Sequence, residues 1–347
     1  MSQCTGLCAD RLSGRRSPGH FSASLGLGIV ILAATNGGAW CQSSEQVDNT
    51  KIIIGQGSSG TAQIPLYIAL QQDFFKKAGL DVTAQLLSGG TPSAMASFAS
   101  GAVNILNLSA PELIQYTAKK VISGKAFGEV VDQSYDIVGS KAVTKIEDIK
   151  GKTIGVSAPN SGDQIYILAV MQHYGISPKD VTFITSGNPV SRLAAIAAGV
   201  IQVTAQGNPQ REESMKVGTV VLTSGDSPVQ FPTNMFIASD DLIKNHKPLL
   251  KRFLGVLHDT NEWMKANLDA AVAICVKSIG ATAEACRGSI TSSFDKSVAS
   301  KYTWSSTSAV NLDGIKSALA VMANIDPETK NLTVDDVADT SIAGTIP

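Results

Sequence analysis

The hydrophobic pattern of the first half of the chain alternates short β-branched runs with apolar helical segments, and it does so twice. Residues 51–55 predict a strand that leads into Ser59-Gly60 and an apolar helix over 62–78. Residues 152–156 predict a strand that leads into Ser161-Gly162 and a second apolar helix. In each copy a glycine ends the helix, and a strand beginning Asp-Val-Thr and a short Ala-rich helix follow. Strands that alternate with helices are typical of a mostly parallel α/β sheet. The repeat therefore predicts two similar lobes with a cleft between them.

The second half of the chain follows a different pattern, with one strand followed by several helices. We expect the C-terminal helices, which have no partner copy, to pack on the first lobe after the chain has crossed between the lobes near residues 139–143 and 229–234. The predicted domains are a first lobe of residues 41–142 and 233–347 and a second lobe of residues 143–232. The remaining predicted elements are strands at 81–87, 102–107, 134–138, 200–204 and 234–238, and helices at 92–100, from Pro111, near Pro209 and over 241–265.

The charge of the chain excludes one broad class of function. The 28 basic and 29 acidic residues give a formal net charge of −1. A nucleic-acid-binding protein usually carries a basic patch or a basic total. We therefore expect no nucleic-acid partner.

The N-terminal residues 1–40 have the pattern of a secretory signal peptide. Arg11, Arg15 and Arg16 precede an apolar run at 25–34, and small residues follow. A run of about ten apolar residues is within the range of a signal peptide and too short to span a membrane. We expect cleavage to leave an N-terminus between residues 39 and 44 and the mature protein to be periplasmic. A lipid anchor at Cys41 is the less favoured alternative, because Trp40 stands where a small residue is needed.

Export changes the interpretation of the cysteines. Cys275 and Cys286 remain after the predicted cleavage and lie on either side of Gly280. In an oxidising compartment two cysteines at this spacing can form a disulfide. The alternative is that they are two small buried apolar residues. No histidine is near either cysteine in the sequence, so we expect neither catalysis nor a metal site there.

The sequence resembles the substrate-binding proteins of nitrate/sulfonate/taurine/bicarbonate-type ABC importers, the group that includes the NMT1/THI5-like binders of thiamine precursors. The resemblance covers about residues 50–325. The motifs that carry it are DFFKKAGLDV at 73–82, SGGT at 88–91 with GAVNI at 101–105, and IEDIKGKTIGV at 146–156. The sequence departs from the family at Asn104 and Gln202, where aspartate is frequent. The resemblance implies a type II periplasmic binding fold and capture of a solute for a membrane permease.

The position of the binding site can be predicted from the strands themselves. In open α/β sheets, ligands bind beyond the carboxyl ends of the strands. At these ends the sequence has small and polar residues that precede helices, and backbone N–H groups at helix N-termini favour anions. We therefore predict a cleft that holds an anion without a basic side chain. The predicted ligand-binding residues are Ser58, Ser59, Gly60, Ser88, Gly89, Gly90, Thr91, Ser109, Asn160, Ser161, Gly162, Asn188 and Asn208.

Aromatic and titratable residues add little to this prediction. Tyr67 and Tyr166 each lie one turn into the first helix of their copy, where both core packing and cleft lining are open to them. The same two alternatives hold for Phe231. The histidines are scattered, and we expect no catalytic or metal-binding role for them.

The resulting prediction is a monomeric, non-enzymatic solute-binding protein without cofactor or metal. It captures a small solute by hinge closure between two lobes and delivers the solute to an ABC permease. The favoured solute is an anionic sulfonate, carboxylate or nitrate-like ion, and an uncharged heterocycle is an equally open alternative for a pocket lined by serine, asparagine and tyrosine. The alternatives are an enzyme on the same fold, such as a thiamine-pyrimidine precursor synthase or a sulfinate desulfinase, and a secreted sensor subunit. The resemblance implies a cysteine-rich iron motif for the synthase and a cysteine in the cleft for the desulfinase, and the predicted cleft loops contain no cysteine.

Overall fold

The computed structural model describes residues 50–57, 59–131, 135–208, 210–294 and 309–343, and gives the side chains of all of these except residues 212 and 343. The predicted signal peptide, Cys41 and Ser58 lie outside the described residues. Among the described residues, none of the helices has the length and apolar content needed to cross a membrane.

The described residues form two five-stranded sheets. The strands are β1 (Ile52–Gln56), β2 (Val82–Leu86), β3 (Ile105–Leu108), β4 (Gly124–Val131), β5 (Asp136–Ser140), β6 (Thr153–Val156), β7 (Thr182–Thr185), β8 (Val203–Gln206), β9 (Gly218–Leu222) and β10 (Asn234–Ser239). The helices are α1 (Ile64–Gln71), α2 (Phe74–Lys77), α3 (Gly90–Ala99), α4 (Ala110–Ala118), α5 (Gly162–His173), α6 (Pro189–Ala197), α7 (Gln210–Ser214), α8 (Asp240–Asn245), α9 (Lys247–Ala266), α10 (Leu268–Ile279), α11 (Ala283–Phe294), α12 (Leu312–Ile325), α13 (Val334–Val337) and α14 (Thr340–Ala343).

The two sheets have the same strand order. The first is β2-β1-β3-β10-β4 and the second is β7-β6-β8-β5-β9. In each sheet the first three strands in the order pair in parallel, and the fourth strand runs antiparallel to both of its neighbours. That fourth strand is the one reached when the chain crosses between sheets, β5 on the way out and β10 on the return. The repeat found in the sequence is therefore a repeat of topology.

The chain leaves the first sheet earlier than the predicted boundary at residue 142. β4 ends at Val131 in the first sheet, and β5 already pairs with β8 and β9 in the second. The change of sheet therefore lies between Val131 and Asp136. The return lies between β9 and β10, which includes the predicted crossing near 229–234.

Helices pack against the strands and helices of each lobe. α9 and α10 pack on α1, α12 packs on α4, and α14 packs on β4, so the C-terminal helices lie on the first lobe. On the second lobe α5 packs on β8, and α6 packs on β5, β6 and β8. The core of the first lobe includes Phe75 stacked on Phe253, with ring centroids 5.2 Å apart.

Local residue choice explains where the helices of both copies end. Gly79, Gly101, Gly175 and Gly199 follow the helices that they were predicted to close, and all four have positive φ, between 66° and 76°. Only glycine adopts this conformation without a steric cost. Two predicted helices are interrupted. The helix over 62–78 breaks at Asp73, which has a φ of 55°, and the helix over 241–265 breaks at His246, before Pro248 in the first turn of α9.

The residues that depart from the family pattern have equivalent structural roles in the two copies. The Asn104 Oδ1 accepts a hydrogen bond from the Ile53 N–H at 2.8 Å, and its Nδ2 donates to the Lys51 carbonyl at 2.8 Å. The Gln202 Oε1 accepts from the Thr153 N–H at 3.0 Å, and its Nε2 donates to the Gly199 carbonyl at 3.0 Å. An amide both accepts and donates, which an ionised aspartate cannot do.

A disulfide between Cys275 and Cys286 joins α10 to α11. The two Cα atoms are 6.0 Å apart and both side chains are fully buried. They lie in an apolar cluster with Ile274 and Ile290. The two cysteines are the only ones among the described residues, so this part of the chain has no free thiol.

Candidate functional site

A cleft of about 710 Å³ lies between the two sheets at the carboxyl ends of their parallel strands. On the first lobe it is lined by the loops that follow β1, β2 and β3, and on the second lobe by those that follow β6, β7 and β8. Pockets of about 300–1,000 Å³ are typical of small-molecule sites. The duplicated loops therefore face one space from two sides.

The structure brings most of the predicted site residues together around this cleft. Those that line it are Ser59, Gly60, Ser88, Gly89, Gly90, Thr91, Ser109, Ser161, Gly162, Asn188 and Asn208. Asn160 is not among the lining residues; it is exposed and has a φ of 60° in the turn before α5. The position of these residues is thus described, whereas their contact with a solute stays a prediction.

Two of the helices that begin at the cleft have no side-chain cap. α3 and α5 start there without a side chain that accepts from their first amides. Two further helices, α6 and α4, are capped by predicted site residues. The Asn188 Oδ1 accepts from the Ser191 N–H at 2.9 Å, and Ser109 forms a reciprocal capping box with Glu112 at the start of α4. Asn188 and Ser109 therefore have structural partners already, and α3 and α5 offer open helix N-termini.

The cleft also contains charged side chains that the sequence analysis did not identify. Glu112, Asp163 and Arg192 all line it, and they are 8%, 2% and 2% exposed. The Ser-x-x-Glu spacing of a capping box was a readable signal for Glu112. Asp163 directly follows the predicted Ser161-Gly162 pair. Arg192 had no comparable signal, because burial of a single helical arginine depends on the packing of α6.

Asp163 and Arg192 form a buried network within the second lobe. Their Oδ2 and Nη1 atoms are 3.4 Å apart. The Ser157 N–H and Oγ donate to Asp163 Oδ2 at 2.9 and 3.0 Å, and Ser161 Oγ donates to Oδ1. Arg192 donates to Ser157 Oγ at 2.6 Å and to the carbonyls of Gly187 and Ala205 at 2.8 and 3.1 Å. These hydrogen bonds help to offset the cost of burying the ion pair, although the buried Nε of Arg192 has no partner among the described residues.

Glu112 is a buried carboxyl group without an arginine or lysine partner among the ion pairs of the described residues. Its Oε2 accepts from the Ser109 N–H at 3.1 Å and from Ser109 Oγ at 2.7 Å, and its Oε1 accepts from Thr91 Oγ1 at 3.1 Å. Burial raises the pKa of the Glu112 carboxyl group above its ordinary value, more than these hydrogen bonds lower it. The charge of Asp163 raises this pKa further.

The two walls of the cleft touch at two places. Thr61 Oγ1, from the first lobe, donates to the Asn208 carbonyl oxygen of the second at 2.7 Å. Gly162 at the start of α5 lies so near the first lobe that an added Cβ would be 2.7 Å from Ser109 Oγ and 3.2 Å from its Cβ. A side chain at position 162 would therefore press on the opposite wall.

Most of the aromatic residues near the cleft do not line it. Tyr135 lines the cleft, and its ring centroid is 5.8 Å from that of the fully buried Tyr166. Tyr166 in turn packs edge-on against Phe231 at 6.1 Å. Tyr67 donates to Gln56 Oε1 at 3.2 Å, and burial raises its pKa to about 12. Tyr67, Tyr166 and Phe231 are not among the residues that line the cleft. Tyr166 and Phe231 are fully buried in the core, whereas Tyr67 is only partly buried.

Cysteine and histidine, which other chemistries would use, are not found among the described residues that line the cleft. Over the described ranges there is no group of three or more histidine, cysteine, aspartate or glutamate side chains that could hold a metal ion.

The fold of the chain is that of the type II periplasmic binding proteins, with two α/β lobes. The ligand-binding component of an ABC-type import system from Staphylococcus aureus superposes with a TM-score of 0.68 at 12% identity, over 86% of this chain and 99% of that one. The periplasmic nitrate-binding protein NrtA from Synechocystis PCC 6803 superposes with a TM-score of 0.65 at 14% identity, over 85% and 87% of the two chains.

The family can be stated from the sequence. A family model described as NMT1/THI5 like matches residues 61–271, which is more than half of the chain. The chain belongs to the NMT1/THI5-like family. A curated relative, the putative binding protein YtlA of Bacillus subtilis (strain 168), is 23% identical over 235 residues, which cover 65% of this chain and 69% of the relative.

Enzymes are also found among the similar proteins. A 4-amino-5-hydroxymethyl-2-methylpyrimidine phosphate synthase of Candida albicans (strain WO-1) is 21% identical over 220 residues, which cover 59% of this chain and 64% of that protein. The desulfurization enzyme DSZB superposes with a TM-score of 0.60 at 13% identity, over 85% and 98% of the two chains. Membership of the family therefore does not by itself separate binding proteins from enzymes.

Proposed function

We propose that the chain is the solute-binding component of an ABC importer and that it carries a small solute in the cleft between its two lobes. The observation that supports this most strongly is the cleft itself, because equivalent loops of two topologically identical sheets line it from opposite sides. The names of similar proteins agree with it, since they include a putative binding protein and the ligand-binding component of an import system.

Hinge closure follows from the way the lobes are joined. The chain passes between the sheets between Val131 and Asp136 and again between β9 and β10. We propose that these two changes of sheet mark the boundary between the lobes. A solute that contacts both walls binds the closed form more tightly than the open form, and its differential affinity shifts the equilibrium toward closure. The closed form is then the one that a membrane permease recognises.

A binding role is favoured over the two enzymatic alternatives by the lining of the cleft. A desulfinase would need a cysteine in the cleft, and the residues that line it include none. A precursor synthase would need a cysteine-rich iron motif, and the described residues contain only the two disulfide-bonded cysteines. The proposed protein acts outside the cytoplasm as a monomer without cofactor.

Native mass spectrometry of the protein purified from its own cell envelope tests this proposal. We expect a non-covalent complex with one small molecule, which leaves when the protein is unfolded and rebinds when it is returned to refolded protein. Turnover of that molecule into a product by the purified protein would contradict the binding role.

A further inference from the structure

We propose that Glu112 determines the specificity of the cleft and that the solute presents a nitrogen donor, a protonated amine or an amidine-like N–H group, to its carboxylate. This inference rests on the proposed solute-binding function and adds a chemical class to it. The class differs from the anion that the helix N-termini alone predict.

The geometry of Glu112 leaves part of its carboxylate available. Oε2 accepts from both the N–H and the hydroxyl group of Ser109, whereas Oε1 accepts a single bond from Thr91 Oγ1. An ionised carboxylate has about four acceptor sites on its two oxygens. Oε1 therefore keeps capacity for a donor, and Glu112 and Thr91 both line the cleft.

The charges around the cleft are balanced in the second lobe and unbalanced in the first. Asp163 has Arg192 as its ion-pair partner, so that pair brings little net charge. Glu112 is 8% exposed and forms none of the ion pairs found among the described residues. A buried carboxyl group in this situation either keeps its proton or gains a cationic partner. A nitrogen donor of the solute supplies that partner.

The opposite wall presents a second acceptor. Asn208 lines the cleft on the second lobe, and its buried Oδ1 has no hydrogen-bond partner in the protein. Its backbone carbonyl oxygen, in contrast, accepts from Thr61 of the first lobe. A solute whose N–H donors reach both Glu112 Oε1 and Asn208 Oδ1 would be held by acceptors from both lobes.

An anion at the same place would meet two carboxyl groups. Glu112 and Asp163 come from opposite walls, and Asp163 stands in the first turn of α5, one of the two helices with an uncapped N-terminus. Because Asp163 is paired with Arg192, the carboxyl group of Glu112 is the uncompensated charge that an anion would meet. The open N-terminus of α3 can still accept a neutral acceptor group of the solute.

Thermal-shift titration with two sets of named probes tests the inference. One set contains ethanolamine, benzamidine and 4-aminopyrimidine, and the other contains ethanesulfonate, butyrate and nitrate. We expect a nitrogen-donor probe to raise the melting temperature of the wild-type protein and to bind Glu112→Gln at least tenfold more weakly. Glu284→Gln, at an exposed position of α11, is the matched control and should bind as the wild type does.

A structural role of Glu112 alone would not change the pH dependence of binding. The titratable groups that interact with Glu112 are Asp163, Tyr135 and, on its own helix, Tyr116. Arg192 pairs with Asp163 and acts on Tyr135. Because burial raises the pKa of Glu112, affinity for a nitrogen-donor probe should increase as the pH rises through that pKa. The increase should be absent in Glu112→Gln.

Two results would overturn the inference. One is stabilisation by the anionic probes with none by the nitrogen donors, and the other is equal binding of a nitrogen donor to wild type and Glu112→Gln. Neither result would contradict the proposed solute-binding function, which is judged separately by the small molecule that purifies with the protein.

Discussion

At the scale of single residues, two glycines of the cleft differ in what a substitution would reveal. Gly90 was predicted to be a solute contact, but its φ of +66° means that any side chain there strains the backbone. A change at Gly90 would therefore alter stability and binding together. Gly162 has no such strain. A side chain there is limited by the opposite wall, where Ser109 Oγ lies 2.7 Å from the position of an added Cβ.

Gly162→Ala should hinder closure without weakening the separate lobes. The new methyl group would meet the Ser109 side chain only when the walls are as close as they are here. We expect affinity for the small molecule eluted from the protein to fall at least tenfold, about 1.4 kcal/mol, while the melting temperature of the ligand-free protein stays the same. Gly255→Ala, where an added Cβ meets nothing within 4 Å, is the control. Unchanged affinity for Gly162→Ala, measured by calorimetry, would mean that the walls do not close on the solute.

The carboxyl group of Glu112 should make ligand-free stability depend on pH. Burial raises its folded-state pKa above the ordinary 4.5, so the folded state binds more protons than the unfolded state between these two values. Stability is then lost as the pH rises through the folded-state pKa. Urea unfolding across this range should show the loss in wild type and a smaller loss in Glu112→Gln. Identical pH profiles of the two proteins would contradict the assigned shift.

At the scale of elements, the sequence predicted periodic segments well and their interruptions poorly. The strands of both copies and the glycines that close their helices could be predicted locally. β-branched runs indicate strands, and glycine is the residue type that favours positive φ. The break at Asp73 could not be predicted in this way, because it is the surrounding structure that holds a non-glycine residue at positive φ. The loops of the cleft were predictable from strand ends, whereas the buried Asp163–Arg192 pair needed the packing of α5 and α6.

The disulfide between α10 and α11 should contribute measurably to stability. Cys275 and Cys286 are 11 residues apart, and closing a loop of this size stabilises by about 2–3 kcal/mol in the chain-entropy model. We expect the Cys275→Ala/Cys286→Ala variant to lose about this much free energy of unfolding in urea, and wild type to lose a similar amount under reducing conditions. Two freely alkylated thiols in protein taken directly from the cell envelope would contradict the bond.

At the scale of the whole molecule, the repeat in the sequence predicted two lobes. The residues at which the chain crosses between them could be found only from the strand pairing in the two sheets. The sequence of the strand at 136–140 does not tell which sheet it joins. Strand pairing is decided by tertiary contacts. The charge of the cleft was missed for the same reason, since Glu112 and Asp163 are far apart in sequence and meet only when the two walls face each other.

Small-angle X-ray scattering with and without the eluted small molecule tests the central claim most directly. If a solute is held between two lobes that close on it, its addition should reduce the radius of gyration of the wild-type protein and leave that of Gly162→Ala less changed. A wild-type radius of gyration that is the same with and without bound solute would contradict closure of the cleft as the mode of binding.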